Sequence, residues 1–304
     1  MKFSCKALTL ISALSSPLLP AVAHADPIPA PVADMINAAA ASGDAAALAA
    51  VATTAKKTNP ASVAEIDDLL KQLKSAADAK HQTDLANQEF FDGWKGQGEA
   101  GASRATGNTK ESTAALGLHF NKEGLRWDHN IDATVDYDNT DDVTTKSRYF
   151  AGYNTRYKFE SSGIYATGLL SWENDRFAGF NRRYTESLGL GYSFIDTPDF
   201  LLAAEAGPAL RQTRYVNGTS DSEVAARVAL RNRWVIVPNL TFTEDLSYYY
   251  ASKNSTLTSD TALTAALTGK LSARLLYHIQ RESNPPDGLQ NLDTLTRLML
   301  VYSF

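Results

Sequence analysis

The sequence has little cysteine and no long apolar run. Its only cysteine is Cys5, so the rest of the chain has neither disulfides nor thiol chemistry. No apolar stretch reaches the roughly 18 residues that a membrane-spanning helix needs, which excludes helical membrane spans. Positive charge is also in deficit, with 29 Lys and Arg against 34 Asp and Glu. A nucleic-acid-binding protein is therefore not expected.

The first residues have the pattern of a secretory signal peptide. Lys2 and Lys6 precede a short apolar run, and Ala23-His24-Ala25 is a small-x-small cleavage site. We predict that residues 1–25 are removed and that Cys5 leaves with them. Without the two lysines the charge of the mature chain is 27 − 34 = −7. The sequence therefore predicts an exported protein.

Recognisable motifs of enzymes and cofactor sites are missing as well. After the predicted cleavage four histidines remain, and no two of them have the spacing of metal ligands. The sequence has no nucleophile elbow, phosphate-binding loop, zinc motif or calcium loop. We expect no enzyme, no catalytic residue, no metal site and no cofactor. One alternative is a membrane-embedded hydrolase centred on His278, with Ser272 or Asp293 close by.

Residues 26–90 are rich in alanine and in helix-forming residues. Asp44 is placed to cap a helix over 45–57, and Asn59-Pro60 ends that helix. The pattern Ser62-Val63-Ala64-Glu65 is a capping box that opens a second helix. We predict a small helical periplasmic extension whose helices pack on one another. Binding of a periplasmic partner through 26–90 is the alternative.

From Trp94 onward the hydrophobic pattern has period two, which is typical of strands. About twelve strands are predicted, near 94–103, 112–121, 127–137, 146–159, 164–174, 183–194, 200–213, 223–236, 240–251, 260–268, 271–281 and 292–304. Tight turns between them alternate with longer polar links, as do the periplasmic turns and extracellular loops of outer-membrane barrels. Most of these strands are longer than the five or six residues usual in globular sheets, which disfavours a secreted β-sandwich.

Residues 91–304 are therefore predicted to be all-β, a transmembrane antiparallel up-and-down β-barrel. We expect it in the outer membrane of a Gram-negative bacterium, with both termini periplasmic. Its last strand has an apolar face that points to lipid and resembles the signal read by the barrel assembly machinery. That face consists of Leu298, Leu300, Tyr302 and Phe304. Outer-membrane lipid and the assembly machinery are the partners expected.

Charged residues on the inward face are candidates to line a pore. They are Glu99, Arg148, Arg156, Glu173, Glu205, Arg211, Arg227, Arg231, Arg233, Asp245, Arg274 and Arg297. A ladder of arginines would favour anions, whereas interlocked Arg–carboxylate pairs would fill the lumen. A barrel of about twelve strands is compatible with either state.

Local charge patterns on two strands suggest their register. One alignment pairs Asp138 with Lys146, Asp136 with Arg148 and Asp128 with Arg156, and such cross-strand pairs would brace the barrel wall. Two carboxylates, Glu186 and Glu244, fall on the lipid face. A β-bulge that shifts the local register would turn them inward.

Several segments resemble the YdiY-like family of salt-induced outer-membrane proteins. They are Gly93–Ser103, Thr106–Thr109, Trp172–Phe180, Gly189–Tyr192, Glu205–Pro208, Arg211–Arg214 and Leu300–Phe304. The resemblance covers about 91–304 and implies an outer-membrane β-barrel of Gram-negative bacteria, with no catalytic residues to carry over. It draws attention to an expected extracellular loop with Asp175, Arg176, Phe177 and Phe180, which either binds a ligand or packs its own aromatic rings.

Three functions stay open at this point. The first is a passive channel for ions or small solutes, or an envelope protein linked to salt or osmotic stress. The second is a structural or interaction barrel with a filled lumen and a partner-binding segment at 26–90. The third is the membrane-embedded hydrolase.

Overall fold

The computed structural model describes residues 27–105, 111–140, 142–159, 162–286 and 288–304. The predicted signal peptide, 1–25, lies outside the described residues. The chain divides after Ala79 into two compact units, of which the second contains all the strands. Of the helices in the described part of the chain, none is long and apolar enough to cross a membrane.

Helices precede the strands. They are α1 (Ala30–Ala41), α2 (Ala45–Thr58), a 3-10 helix (Pro60–Ser62) and α3 (Val63–Asn87). Within the first unit Ile36, Ala55 and Ile66 form a small buried core, one residue from each α-helix. Apolar residues of α3, including Leu69 and Leu73, pack against that core.

One predicted helix cap forms and the other does not. The Asp44 carboxylate accepts the N–H groups of Ala46 and Ala47 at 2.9 and 3.0 Å, so α2 begins where expected. The capping box at Ser62 is wrong. Glu65 accepts the backbone N–H of Ile28 at 2.8 Å, so it secures the chain that enters α1 rather than the start of its own helix.

Twelve strands form one closed antiparallel barrel in which each strand pairs with its sequence neighbours and β12 pairs with β1. The strands are β1 (Trp94–Ala105), β2 (Glu111–Lys122), β3 (Trp127–Thr140), β4 (Val143–Lys158), β5 (Ile164–Asp175), β6 (Phe180–Asp196), β7 (Phe200–Tyr215), β8 (Ser220–Val237), β9 (Leu240–Tyr250), β10 (Thr256–Ala266), β11 (Leu271–Glu282) and β12 (Leu292–Ser303). The predicted fold and strand number are confirmed.

The connections differ from the expected alternation of short turns and long loops. We call the rim where β1 begins and β12 ends the terminal rim, and the other the opposite rim. The opposite rim has the connections 106–110, 141–142, 176–179, 216–219, 251–255 and 283–291, and of these only the last is clearly long. The polar residues that we assigned to long loops mostly continue the strands, because backbone pairing does not require apolar side chains.

The outer face of the barrel is apolar. Leu116, Leu188, Leu190 and Leu298 alternate with inward residues and are more than half exposed. Aromatic residues gather toward both rims, with Trp127, Phe159, Tyr192 and Phe194 at the terminal rim and Tyr137, Tyr149, Tyr184 and Tyr250 at the other. Closure pairs the strand backbones while this belt faces lipid, as a bilayer requires. The fold is that of a transmembrane β-barrel.

Two close approaches shape this barrel. The first joins β6 and β7, where a Cβ on Gly207 would overlap the carbonyl oxygen of Leu188. The second is the seam, where the ladder pairs Gln97–Ala100 with Leu300–Ser303. Gly96 and Phe304 extend that ladder by exchanging two backbone hydrogen bonds of 3.0 and 2.9 Å. The Phe304 ring covers Gly96, which has no Cβ to obstruct it.

Candidate functional site in the barrel lumen

The inward face of β3 and β4 has the predicted register. Asp138 lies opposite Lys146, Asp136 opposite Arg148 and Asp128 opposite Arg156, which confirms that alignment. The ion pairs follow it only in part.

Arg148 and Asp136 are 3.5 Å apart, but Asp128 accepts from Lys158 at 2.9 Å. Arg156 extends instead toward Glu205 on β7, at 3.2 Å. Long cationic side chains thus contact carboxylates on strands beyond their direct partners.

A hydrogen-bonded lattice crosses the lumen near the opposite rim. Arg183 on β6 donates to Glu282 on β11 at 2.8 Å, although the two strands lie five steps apart around the barrel. Glu282 also accepts from Asn254 at 2.7 Å and from Thr256 at 2.8 Å. Arg211 donates to the Thr256 hydroxyl at 2.6 Å. We call Arg183, Arg211, Asn254, Thr256 and Glu282 the rim lattice.

The rim lattice fills its section of the lumen. The guanidinium of Arg183 lies over the ring of Phe180 at 3.9 Å, and that of Arg211 over Tyr249 at 4.0 Å. Phe180 is completely buried. The cavity left beside Arg183 and Arg211 has a volume of about 10 Å³, which is room for about one water molecule. All five side chains of the rim lattice are buried, so they obstruct the lumen at this level.

A second cluster of ion pairs links the wall close to the rim lattice. Arg148 donates to Glu173 at 2.6 Å, and Arg297 donates to Asp136 at 2.6 Å. Arg297 is on β12 and Asp136 on β3, so this pair also joins strands that are not neighbours. All four side chains are mostly buried. Buried pairs of this kind hold their geometry because each charge would be costly alone.

Two further carboxylates each contact two basic side chains. Glu205 contacts Arg156 at 3.2 Å and Arg227 at 3.1 Å. Glu99 accepts from Arg274 at 2.7 Å and lies 3.1 Å from His119. The predicted site residues are thus brought together mainly as ion pairs.

The acidic groups that remain exposed line the middle of the lumen. The side chains of Asp132, Asp245 and Asp260 are 43, 56 and 43% exposed. Each has one cationic or imidazole neighbour: His119 at 2.8 Å from Asp132, Arg231 at 3.0 Å from Asp245, and His278 at 2.6 Å from Asp260. Solvent-accessible space in the lumen is therefore bordered by carboxylates.

The partners of the inward arginines bear on the two alternatives left open, a ladder that favours anions and interlocked Arg–carboxylate pairs. Every arginine of the predicted set has an ion-pair partner or a hydrogen-bond acceptor, including Arg233, which donates to the carbonyl oxygens of Pro198 and Thr197 at 2.9 and 3.3 Å. Most of these arginines pair with a carboxylate, which compensates their positive charge. Arg211 and Arg233 donate instead to neutral oxygens. In the middle of the lumen, the most exposed charged side chains include the carboxylates Asp132, Asp245 and Asp260.

The alternative site around His278 is not assembled as proposed. His278 bonds to Asp260 on β10, whereas Ser272 and Asp293 are not its partners. Within the described part of the chain, no hydroxyl or thiol group hydrogen-bonds to His278. In the same part, no three His, Cys, Asp or Glu side chains converge to hold a metal ion.

The expected extracellular loop is mostly strand. β5 ends at Asp175, which is buried and accepts the N–H groups of Phe177 and Ala178 at 3.0 Å each. β6 begins at Phe180, whose ring points into the lumen beneath Arg183. Only Arg176 and Phe177 of the four candidates lie on the connecting turn. The ring of Phe180 packs inward, as in the alternative that we left open.

Glu186 and Glu244 stay on the outer face. The register shifts of the β6–β7 ladder lie at Phe180/Arg182 and Ser193/Ile195, away from Glu186, so no bulge turns it inward. Glu244 is stabilised where it is, because Ser259 and Thr261 donate to its carboxylate at 2.6 and 2.5 Å. The proposed repair by a bulge is wrong.

The rim lattice contains residues that the sequence did not single out. Arg183, Glu282, Asn254 and Thr256 lie at or near the ends of predicted strands. Alternation alone gives Arg183 and Glu282 an inward position. It does not tell which side of the lumen a side chain reaches, and that information would have identified the lattice.

Comparison with known proteins gives a family and several likenesses. The model of the family described as "Protein of unknown function, DUF481" matches residues 98–304. The uncharacterized protein YdiY of Escherichia coli (strain K12) is 26% identical over 253 residues, covering 81% of this chain and 98% of YdiY.

Two solved structures are similar in outline. The COG4313 outer membrane channel from Pseudomonas putida F1 has 9% identity and a TM-score of 0.45, over 72% of this chain and all of that one. The translocator domain of autotransporter NalP from Neisseria meningitidis has 12% identity and a TM-score of 0.42, over 81% of this chain and 98% of that one. At such scores we infer nothing about this chain from either.

Proposed function

Because the chain belongs to the DUF481 family, whose description assigns no activity, we propose a function from its lumen: a narrow, gated outer-membrane channel. The rim lattice holds its closed state, and small cations are the solutes that its acidic middle favours. The Arg183–Glu282 pair, 2.8 Å long across the lumen, is the observation that carries this proposal.

The location is part of the proposal. An exported chain that folds into a closed barrel with an apolar belt suits the outer membrane of a Gram-negative bacterium. Both barrel ends lie at the terminal rim, and the helical unit precedes β1. We assign that rim to the periplasm, so that the rim lattice closes the extracellular end.

A gate explains two features that a structural barrel with a filled lumen does not require. The middle of the lumen keeps exposed carboxylates, which a purely structural core would replace by packed apolar groups. The closure depends on a few side chains that bridge from strand to strand, while the strand ladders themselves are complete without them. Arg183 and Arg211 could therefore change rotamer without unpairing any backbone.

Selectivity follows from the charges that remain exposed. A permeating ion that passes the lattice meets Asp132, Asp245 and Asp260, of which each is only partly compensated. Rings of carboxylates attract cations and repel anions. We expect small cations to be preferred once the lattice opens.

Single-channel recording tests the gate. Refolded full-length protein in a planar bilayer should conduct rarely, whereas R183Q/E282Q should conduct for most of the recording. The matched control is D128N/K158Q, which removes an ion pair of 2.9 Å between neighbouring strands that does not cross the lumen. Wild-type protein that is open all the time, or a double variant as silent as wild type at every voltage and salt concentration, would contradict the gate.

A structural barrel is the second candidate, and the two layers of cross-lumen ion pairs favour it. It predicts that neither double variant conducts ions. It also predicts that the protein binds a partner outside the lumen, and 26–90 is the segment to test. A pull-down with the full chain and with 26–90 deleted would separate these cases. The link to salt stress is tested by recording at about 0.1 M and 1 M salt, because screening weakens ion pairs that water can reach.

A further inference from the structure

Two arginines lie directly opposite each other on the outer face of the barrel. Arg182 on β6 and Arg214 on β7 are cross-strand partners near the opposite rim, and both are exposed. Arg176 on the adjoining turn donates to the side chain of Asn181 at 3.2 Å, next to Arg182. We call Arg176, Arg182 and Arg214 the outer arginine cluster.

No acid compensates the outer arginine cluster within the described part of the chain. Its members form no ion pair there, unlike most arginines of the lumen. The outward neighbour of Arg214 on β8 is Ser220. The next outward carboxylate on β6 is Glu186, four residues from Arg182 and so roughly 13 Å along the strand at about 3.3 Å per residue. Like charges directly opposite destabilise a sheet.

The position of the cluster relative to the aromatic belt suggests what neutralises it. Tyr184, two residues further along β6, is outward and pairs with Trp172 on β5. Leu188 and Leu190 follow on the same face and are well exposed. Tyr and Trp rings mark the headgroup level of a bilayer, so the arginines lie at or just beyond the lipid headgroups.

We propose that the outer arginine cluster binds the phosphate groups of a membrane glycolipid. Arginine recognises phosphate with two parallel hydrogen bonds, and two adjacent guanidinium groups can hold one phosphate or two neighbouring ones. This assignment rests on the proposed location, which puts the opposite rim in the leaflet made of phosphorylated glycolipid. The acyl chains would lie along the apolar face of β6 below Tyr184.

Native mass spectrometry of the refolded full-length protein in detergent tests the site. The probes are diphosphoryl lipid A, the same lipid A after enzymatic dephosphorylation, phosphatidylglycerol and inorganic phosphate. Wild type should retain diphosphoryl lipid A, and R182Q/R214Q should bind it roughly tenfold more weakly or worse, because both guanidinium–phosphate contacts are lost.

The matched control is R281Q. Arg281 is exposed on the outer face of β11 at the same rim, but its cross-strand partners are Leu257 and Leu292, so it has no second arginine opposite. R281Q should bind as wild type does, and dephosphorylated lipid A should bind poorly to all three proteins. Heat-modifiable migration on a gel shows that each variant is folded.

Three results would overturn the proposal. They are equal lipid A binding by R182Q/R214Q and wild type, binding of phosphatidylglycerol as tight as that of lipid A, and displacement of lipid A by inorganic phosphate at equal concentration. Failure of the channel proposal would leave lipid A binding unchanged. Digestion of the helical unit by protease added to intact cells would put the cluster in the inner leaflet and refute the glycolipid assignment alone.

Discussion

Neutralising Glu282 should destabilise the barrel more than neutralising its partner Arg183. Glu282 accepts hydrogen bonds from Arg183, Asn254, Thr256 and Gln280, at 2.8, 2.7, 2.8 and 3.2 Å. In E282Q the buried guanidinium of Arg183 loses the carboxylate that balances its charge and keeps only neutral contacts, an amide oxygen and the ring of Phe180. In R183Q the carboxylate of Glu282 keeps three neutral donors. The two partners of this ion pair are therefore expected to contribute unequally to the stability of the barrel.

The magnitudes follow from what each change leaves behind. An unpaired buried charge costs about 3–5 kcal/mol, which is the loss expected in the free energy of unfolding of E282Q. Loss of one hydrogen bond to a charged group costs about 1.5–3 kcal/mol, which is the loss expected for R183Q. In R183Q/E282Q neither charge remains, so the combined loss should be smaller than the sum by about 0.5–3 kcal/mol.

Urea unfolding of the refolded protein in lipid vesicles measures these losses, with tryptophan fluorescence and heat-modifiable migration as independent readouts. K158Q is the control, because the Lys158–Asp128 pair is partly exposed and should contribute less than about 1 kcal/mol. A loss in E282Q no larger than that in R183Q, or strictly additive losses, would refute the unequal roles that we assign to the two residues.

Three further predictions concern the wall, the terminus and the lumen. G207A should fail to fold, because its Cβ would overlap a carbonyl oxygen of β6, whereas G98A, with the nearest atom 3.8 Å away, should give a heat-modifiable barrel; a folded G207A would contradict this. Deletion of Phe304 should lower the amount of inserted barrel in cells, and normal amounts on a heat-modifiability gel would show that the terminus is dispensable. D245N/D260N, introduced into the open R183Q/E282Q channel, should move its reversal potential in a salt gradient away from that of a cation-selective pore, and an unmoved potential would exclude these acids as selectivity determinants.

The barrel was predictable because its pattern is local. Alternation from Trp94 onward assigns each side chain to one of two faces, and the acids and bases of β3 and β4 even specify their register. Both follow from the geometry of a strand and its immediate neighbour. The ends of the strands were less predictable, because polar residues above the apolar belt, such as Asn181 and Ser220, fit a loop as well as a strand.

The contacts of the lumen could not be predicted in the same way. Arg156 on β4 reaches Glu205 on β7, three steps around the barrel. Arg183 on β6 reaches Glu282 on β11, five steps around it. Which carboxylate a long cationic side chain contacts depends on barrel diameter and strand tilt. Neither quantity can be derived from the alternation of polar and apolar residues in one strand. Arg148 and Arg156 were therefore correctly given inward positions without their partners.

The short seam between β1 and β12 determines when this protein becomes a barrel. Its ladder joins the first strand of the barrel to the last, and Gly96 and Phe304 extend it by two backbone hydrogen bonds. Contacts between such distant parts of a sequence form late, because loop-closure entropy must be overcome first. Without the pairing of β12 to β1 the strands would form an open sheet with two unpaired edges, which is prone to aggregate. Pairing along this seam is thus the step that turns a sheet with two edges into a barrel with none.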